Sequence, residues 1–312
     1  MIINTGQRTD IPAYYTEWFM NRIREGFVLV RNPFNPVMVS RYELNPKVVD
    51  CISFCSKNPA PILPYLPELK AKFKLYFHVT ITPYGKDIEP HVPDKNEVMK
   101  SYIRLSKSIG LEAVSWRYDP VFITDKYDIS FHKEKFAYMA EMLSGYTDNC
   151  VVSFIDLYEK TLRNFGGVRK VTEGEQNELA EHFANIGKKY GIKIRGCCEK
   201  QELSRFGWDM SGCATKRVLE RALGETLEIP ASEGKARPEC SCLIGHDIGA
   251  YNSCGHGCLY CYANYDKKIV EENMKQHDPK SPLLIGHINP EDEIKQAKQV
   301  RYGHGQMKLE LV

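Results

Sequence analysis

Leu75-Tyr76-Phe77-His78-Val79-Thr80 and Ala113-Val114-Ser115-Trp116-Arg117 are two short apolar runs, and between them Val98, Tyr102, Leu105 and Ile109 recur on one helical face before Gly110. The runs have the length and the β-branched and aromatic content of buried strands, while the intervening spacing is that of an amphipathic helix stopped by glycine. A strand, a crossover helix and another strand make a parallel pair. The unit repeats outward along the chain. Further strands are expected at 2–5, 37–40, 51–54, 151–155 and 191–195. Helical stripes are expected at 13–25 before Gly26, at Phe136, Met139 and Leu143 before Gly145, and at Leu179, Phe183, Ile186 and Tyr190 before Gly191. Such alternation implies an α/β fold, either doubly wound or built as a complete or partial barrel. The expectation is a partial TIM-type barrel of parallel strands with outer helices. Polar groups follow the strand ends, as in Lys57-Asn58, Thr80-Ile81-Thr82 and Arg117-Tyr118-Asp119, and the carboxyl ends of parallel strands form the active face.

The chain of 312 residues, 43% hydrophobic and 26% charged, can bury one large core. It is read as a single domain over 1–312, with a cysteine-rich rim at 197–262. Within that rim a short helix is expected at 217–223, followed by a loop from Pro230 to Gly234. Asn289-Pro290-Glu291 reads as the start of a last short helix. Net charge is +2, from 42 basic and 40 acidic residues that are interleaved, so no charge field marks nucleic acid as a partner. No apolar run approaches the roughly 20 residues of a membrane-spanning helix, and Met1-Ile2-Ile3-Asn4 leads into polar sequence without a secretory core. No membrane association and a cytoplasmic location are expected.

Eight of the eleven cysteines fall between Cys197 and Cys261. That clustering argues for thiolate metal chemistry over a disulfide framework. In Cys254-Gly255-His256-Gly257-Cys258-Leu259-Tyr260-Cys261 three thiols share one short loop. Three thiolates suit a 4Fe-4S cubane whose fourth iron has no protein ligand. The competing reading is a zinc knuckle completed by His256 or another cysteine. A second group comprises Cys197, Cys213, Cys240 and Cys242, with Cys198 as a spare. It could hold another iron-sulfur cluster, a structural zinc or no metal. Cys51 and Cys55 read as buried small hydrophobes.

The Cys254, Cys258 and Cys261 arrangement with Tyr260 resembles the signature loop of radical S-adenosylmethionine enzymes. Its continuation Tyr262-Ala263-Asn264 is similar to a DUF1848-like bacterial family. Gly6-Gln7-Arg8-Thr9-Asp10-Ile11-Pro12, Val30-Arg31-Asn32-Pro33, Lys57-Asn58-Pro59, Trp116-Arg117-Tyr118-Asp119-Pro120 and Asp247-Ile248-Gly249 resemble recurring blocks of that family. The resemblance implies reductive cleavage of S-adenosyl-L-methionine and hydrogen abstraction by a 5'-deoxyadenosyl radical. The substrate, a small molecule or a modified macromolecule, is unspecified. A flavodoxin or ferredoxin is the implied electron donor, with Cys254, Cys258 and Cys261 as cluster ligands.

In that superfamily the cluster loop follows the first barrel strand, whereas here it begins at residue 254, so a circular permutation is inferred. On that arrangement Gly6, Arg8, Thr9 and Asp10 occupy the place of the superfamily's glycine-rich cofactor turn. Asp10 is a candidate acceptor for the cofactor's ammonium, or alternatively a helix cap. Arg8 and Arg31 are candidate carboxylate clamps or ordinary ion pairs. Arg117 and Asp119, at the end of a buried strand, are the candidate catalytic pair, or an internal ion pair closing the rim. Lys57, Asn58, Thr80, Thr82 and Tyr260 are further cofactor-binding candidates, while His78 reads as packed within the sheet. The alternatives in function are a zinc-stabilised α/β hydrolase or binding protein using Asp119 or Glu199 with His246 and His256, and a non-catalytic iron-sulfur redox protein.

Overall fold

The computed structural model describes residues 1–157, 159–230, 240–243 and 245–303. Most of the chain forms one α/β unit around a seven-stranded, wholly parallel sheet flanked by helices. Its strands are β1 (Ile2–Asn4), β4 (Cys51–Ser56), β5 (Leu75–Thr80), β6 (Val114–Val121), β7 (Asn149–Phe154), β8 (Lys193–Gly196) and β9 (His246–Asp247). Their order in space is β8-β7-β6-β5-β4-β1-β9. From β1 to β8 the order advances in one direction, without the reversal that defines a doubly wound sheet. Among the described residues β8 and β9 do not pair with each other, and the outer side of β8 carries only a single bridge, from Arg195 to Asp209.

Strands β4 to β7 are almost entirely buried, as parallel strands covered by helices must be. Phe54 stacks on Phe77, with ring centroids 4.2 Å apart. Trp116 and Phe183 stack on either side of Phe136. The stripe at 97–109 lies in the helix Lys95–Ile109, and the stripe at 179–190 in Glu173–Tyr190, which ends at Gly191 with φ +69°. The segment 13–25 is two helices, Ile11–Tyr14 and Thr16–Glu25, broken at Tyr15. The short rim helix spans Lys216–Leu223. Residues 231–234 of the expected loop lie outside the described residues.

Two expectations fail. The strand expected at 37–40 is β3 (Met38–Glu43), and it belongs to a separate three-stranded sheet, antiparallel to β2 (Phe27–Arg31). The connection from β2 to β3 is too short for a helical crossover, so a hairpin forms instead. The segment from Asn289 starts no helix. It turns into β10 (Glu293–Gln296), which adds parallel to β3, giving the backbone of this exposed segment the hydrogen bonds that a short isolated helix would lack. Among the described residues no helix is long and apolar enough to cross a membrane.

Candidate functional site

Because all seven strands of the main sheet are parallel, their carboxyl ends share one side. There the chain lines an open cavity of about 390 Å³. Asn4 and the 6–10 turn enter from β1, Ser53, Cys55 and Lys57 from β4, His78 and Thr80 from β5, and Arg117 and Asp119 from β6. Ser153 and Asp156 come from β7 and its exit, and Cys197 and Glu199 follow β8. The motif cysteines Cys254, Cys258 and Cys261, with Tyr260, line the same cavity, as do Cys213, Cys240 and Cys242.

The motif loop is held from two sides. His256 places Nε2 2.8 Å from Asp10 Oδ2 and Nδ1 3.1 Å from the Tyr14 hydroxyl. Both ring nitrogens are engaged, so His256 ties the motif loop to Asp10 and Tyr14. From the other side, the Leu259 N–H donates to Ile88 O and the His91 N–H to His256 O. Gly257 takes φ +69°, and a Cβ on Gly255 would stand 2.8 Å from the Tyr14 ring, which accounts for both glycines. Burial raises the three thiols, Cys258 to about 12. They are protonated at neutral pH until a metal displaces the protons.

A residue that sequence reading missed organises the loop's far side. Glu89 is wholly buried and accepts hydrogen bonds from Lys57 Nζ at 2.8 Å, from Thr82 Oγ1 at 2.6 Å, from Lys95 Nζ and from the Tyr260 hydroxyl. Burial alone would raise its carboxyl, but Lys57 and Lys95 outweigh it and hold the pKa at about 2. Thr82 and Tyr260 are thereby fixed to one carboxylate. Thr82 supports the cavity wall without lining it.

Asp10 is the helix cap. Its Oδ1 accepts the Ala13 N–H at 3.0 Å, and Oδ2 takes the Lys57 N–H at 2.7 Å as well as His256. Three donors leave this carboxylate little capacity for an ammonium. Gly6 permits a close approach, but to β4: a Cβ there would fall 2.4 Å from Cys55 Cβ. Arg8 lies over the Tyr251 ring, with Nε 3.9 Å from Asp247. Asn58 turns away from the cavity and caps the next turn through Ala60 N–H. Arg31 is elsewhere altogether. It forms a two-pronged ion pair with Asp292 and also donates to Pro36 O and His287 O, so it is a bolt of the small sheet and not a clamp at this site.

Arg117 and Asp119 form an ion pair on the cavity wall, with Ser153 donating to the other carboxylate oxygen. Burial works against the charge on Asp119, but Arg117 holds its pKa below the usual range. Beside them Glu199 accepts the Phe154 N–H at 2.8 Å, and burial raises its carboxyl to about 8. Cys55, expected to be a packed hydrophobe, lines the cavity, whereas Cys51 is fully buried. His78 is 5% exposed, and neither ring nitrogen has a partner. Burial, with Arg117 and Arg195 nearby, keeps it neutral. The Thr9 hydroxyl and Gln7 Nε2, also on the cavity lining, are equally without partners. Buried polar atoms are rarely left so, and the four on this cavity, of nine such atoms among the described residues, fit a bound polar ligand.

The second cysteine group converges. Cys213 Sγ is 3.4 Å from Cys242 Sγ and 3.7 Å from Cys197 Sγ. Six strand spacings of about 4.8 Å would put β8 and β9 roughly 29 Å apart if the sheet were flat. Yet Cys197 directly follows β8, Cys242 lies four residues before β9, and the two are joined through one intervening sulfur. These contacts bring the chain leaving β8 and the chain approaching β9 to one cavity.

Among the described residues no three His, Cys, Asp or Glu side chains are gathered around a single point. A cubane does not require that, since it holds its thiolates farther apart than a single ion does. A protein-family model described as Domain of unknown function (DUF1848) matches residues 2–263. No curated protein matches the chain.

Proposed function

The chain belongs to the DUF1848 family, and from that premise we propose that it is a radical S-adenosylmethionine enzyme. The observation that carries this reading is the meeting of Cys254, Cys258 and Cys261 with the 6–10 turn on one cavity at the carboxyl ends of a parallel sheet wound in one direction. A 4Fe-4S cluster held by those three cysteines would supply the electron that cleaves S-adenosyl-L-methionine and releases a 5'-deoxyadenosyl radical to abstract hydrogen from the substrate. A flavodoxin- or ferredoxin-type protein is the electron donor this reading calls for.

The chain's own residues do the positioning. Glu89 fixes Tyr260 and the Lys57 ammonium beside Cys258. Asp10 and His256 tie the motif loop to the turn after β1. Thr9, Gln7 and His78 offer unsatisfied hydrogen-bonding groups to a cofactor or substrate. The place of β9 supports a circularly permuted core. It lies beside β1 and immediately precedes the cluster loop, so in space it stands first in a sheet that it enters last in sequence. The cavity wall mixes Arg8, Lys57 and Arg117 with Asp10, Asp119, Asp156 and Glu199. That balance and volume suit a compact polar metabolite better than a polyanion.

The test is anaerobic reconstitution with iron and sulfide, followed by reduction in the presence of S-adenosylmethionine. The expected result is four irons bound through the motif and the appearance of 5'-deoxyadenosine, both lost in Cys258→Ala. Zinc alone at the motif, or a cluster that never cleaves the cofactor, would overturn the proposal.

A further inference from the structure

The second cysteine group carries an inference that does not depend on the cofactor chemistry. Its sulfur contacts of 3.4 and 3.7 Å can be compared with two kinds of metal site. Thiolates about 2.3 Å from one tetrahedral ion stand about 3.8 Å from each other. A cubane, whose ligands bind different irons, spaces them well beyond sulfur–sulfur contact. A disulfide would need about 2.05 Å, and all four cysteines are free. Both measured contacts are thus those of ligands to a single ion, although the four sulfurs are not yet gathered around one point.

The surroundings favour thiolates. The Cys213 and Ala214 N–H groups each lie 3.2 Å from Cys242 Sγ, and the Cys242 N–H lies 3.4 Å from Cys240 Sγ. Arg117 directs Nη1 at Cys213 Sγ, 3.6 Å away, and Nη2 at Cys197 Sγ, 3.9 Å away. Every one of the four sulfurs thus faces at least one N–H donor. A neutral thiol is a weak acceptor, whereas a metal-bound thiolate is tuned by such bonds. Gly212 has φ +114°, and a Cβ on it would stand 3.1 Å from Cys242 Sγ, so the chain is shaped to pass over that sulfur.

We propose that Cys197, Cys213, Cys240 and Cys242 bind one tetrahedral zinc ion, with Arg117 as a positioning residue that donates to two of the sulfurs. The contacts run as a chain from Cys197 through Cys213 to Cys242, with Cys240 alongside, and zinc binding closes that chain around one point. The metal takes the place of a second iron-sulfur cluster and joins the exit of β8 to the approach to β9.

The experiment uses the full chain carrying Cys254→Ala, Cys258→Ala and Cys261→Ala together, so that the motif contributes no metal. Loaded with zinc alone, it should retain one ion per chain. Cobalt(II) in its place should give the intense visible bands of a tetrahedral thiolate site, a readout that leaves the four proposed ligands unaltered. Cys213→Ser should lose the ion, and Arg117→Gln should weaken zinc binding by about 10-fold while keeping the cobalt spectrum. Four irons with sulfide in the triple variant, a Cys213–Cys242 disulfide, or no metal under any loading would overturn the proposal. Failure of the cluster reading would instead appear as wild type and triple variant binding the same metal complement.

Discussion

Glu89 receives two ammonium groups and two hydroxyls while shielded from water, and its replacement should be among the more costly single changes in the protein. With an ordinary pKa of 4.5 and a folded value of about 2, the carboxylate contributes stability that is fully present above about pH 4.5 and is lost as pH falls toward 2. The difference corresponds to about 3 kcal/mol. Glu89→Gln should therefore lower the unfolding free energy from urea titration at pH 7 by that order, and the gap from wild type should hold down to about pH 5 and narrow below it. A gap independent of pH would place the cost in packing. A second change tests a close approach: Gly6→Ala drives a Cβ into Cys55 and the β4 backbone, and should reduce soluble yield or melting temperature sharply, whereas Gly174→Ala, with nothing near its Cβ, should not. The motif cysteines were legible because their spacing is itself chemical information. Glu89 was not, since a lone acid between Ile88 and Pro90 carries no periodicity, and its partners lie 32 and 171 residues away in sequence as well as nearby.

At the scale of the element, the glycine stops at Gly26 and Gly191 were legible because capping is local, whereas the capping box at Thr172 was not read from the sequence. Thr172 and Glu175 form a reciprocal capping box at the start of Glu173–Tyr190. Thr172→Ala should cost about 1 kcal/mol, visible as a lower denaturation midpoint with metal content unchanged. The small sheet was not legible in the same way. Its strand β10 is exposed at every position and has no apolar alternation to announce it, and its pairing with β3 spans some 250 residues. Arg31 belongs to that long-range assembly. Arg31→Ala removes the cation from Asp292 and two carbonyl contacts from the small sheet and should lower the denaturation midpoint, while S-adenosylmethionine binding to reconstituted protein, followed by calorimetry, should not change. Weakened cofactor binding with unaltered stability would restore the clamp.

For the whole molecule, strand and helix alternation specified the parallel sheet and hence the face on which the site lies. It could not specify that the two cysteine groups share a cavity, because that depends on where the chain runs after β8 and before β9. The order β8-β7-β6-β5-β4-β1-β9 leaves two edges without a mutual hydrogen-bond ladder, while Cys197, Cys213 and Cys242 bring the chain leaving β8 near the chain approaching β9. Chelation should accordingly lower the melting temperature of the entire chain, and zinc should raise it in proportion to the logarithm of its concentration. Amide exchange gives the same expectation in local form: backbone protons of β8 and β9 should exchange faster than those of β5 in metal-stripped protein and slow when zinc is restored. Among the described residues the seam between β8 and β9 is spanned by sulfur contacts and not by a backbone ladder, so its strength should follow the redox and metal state of those thiols.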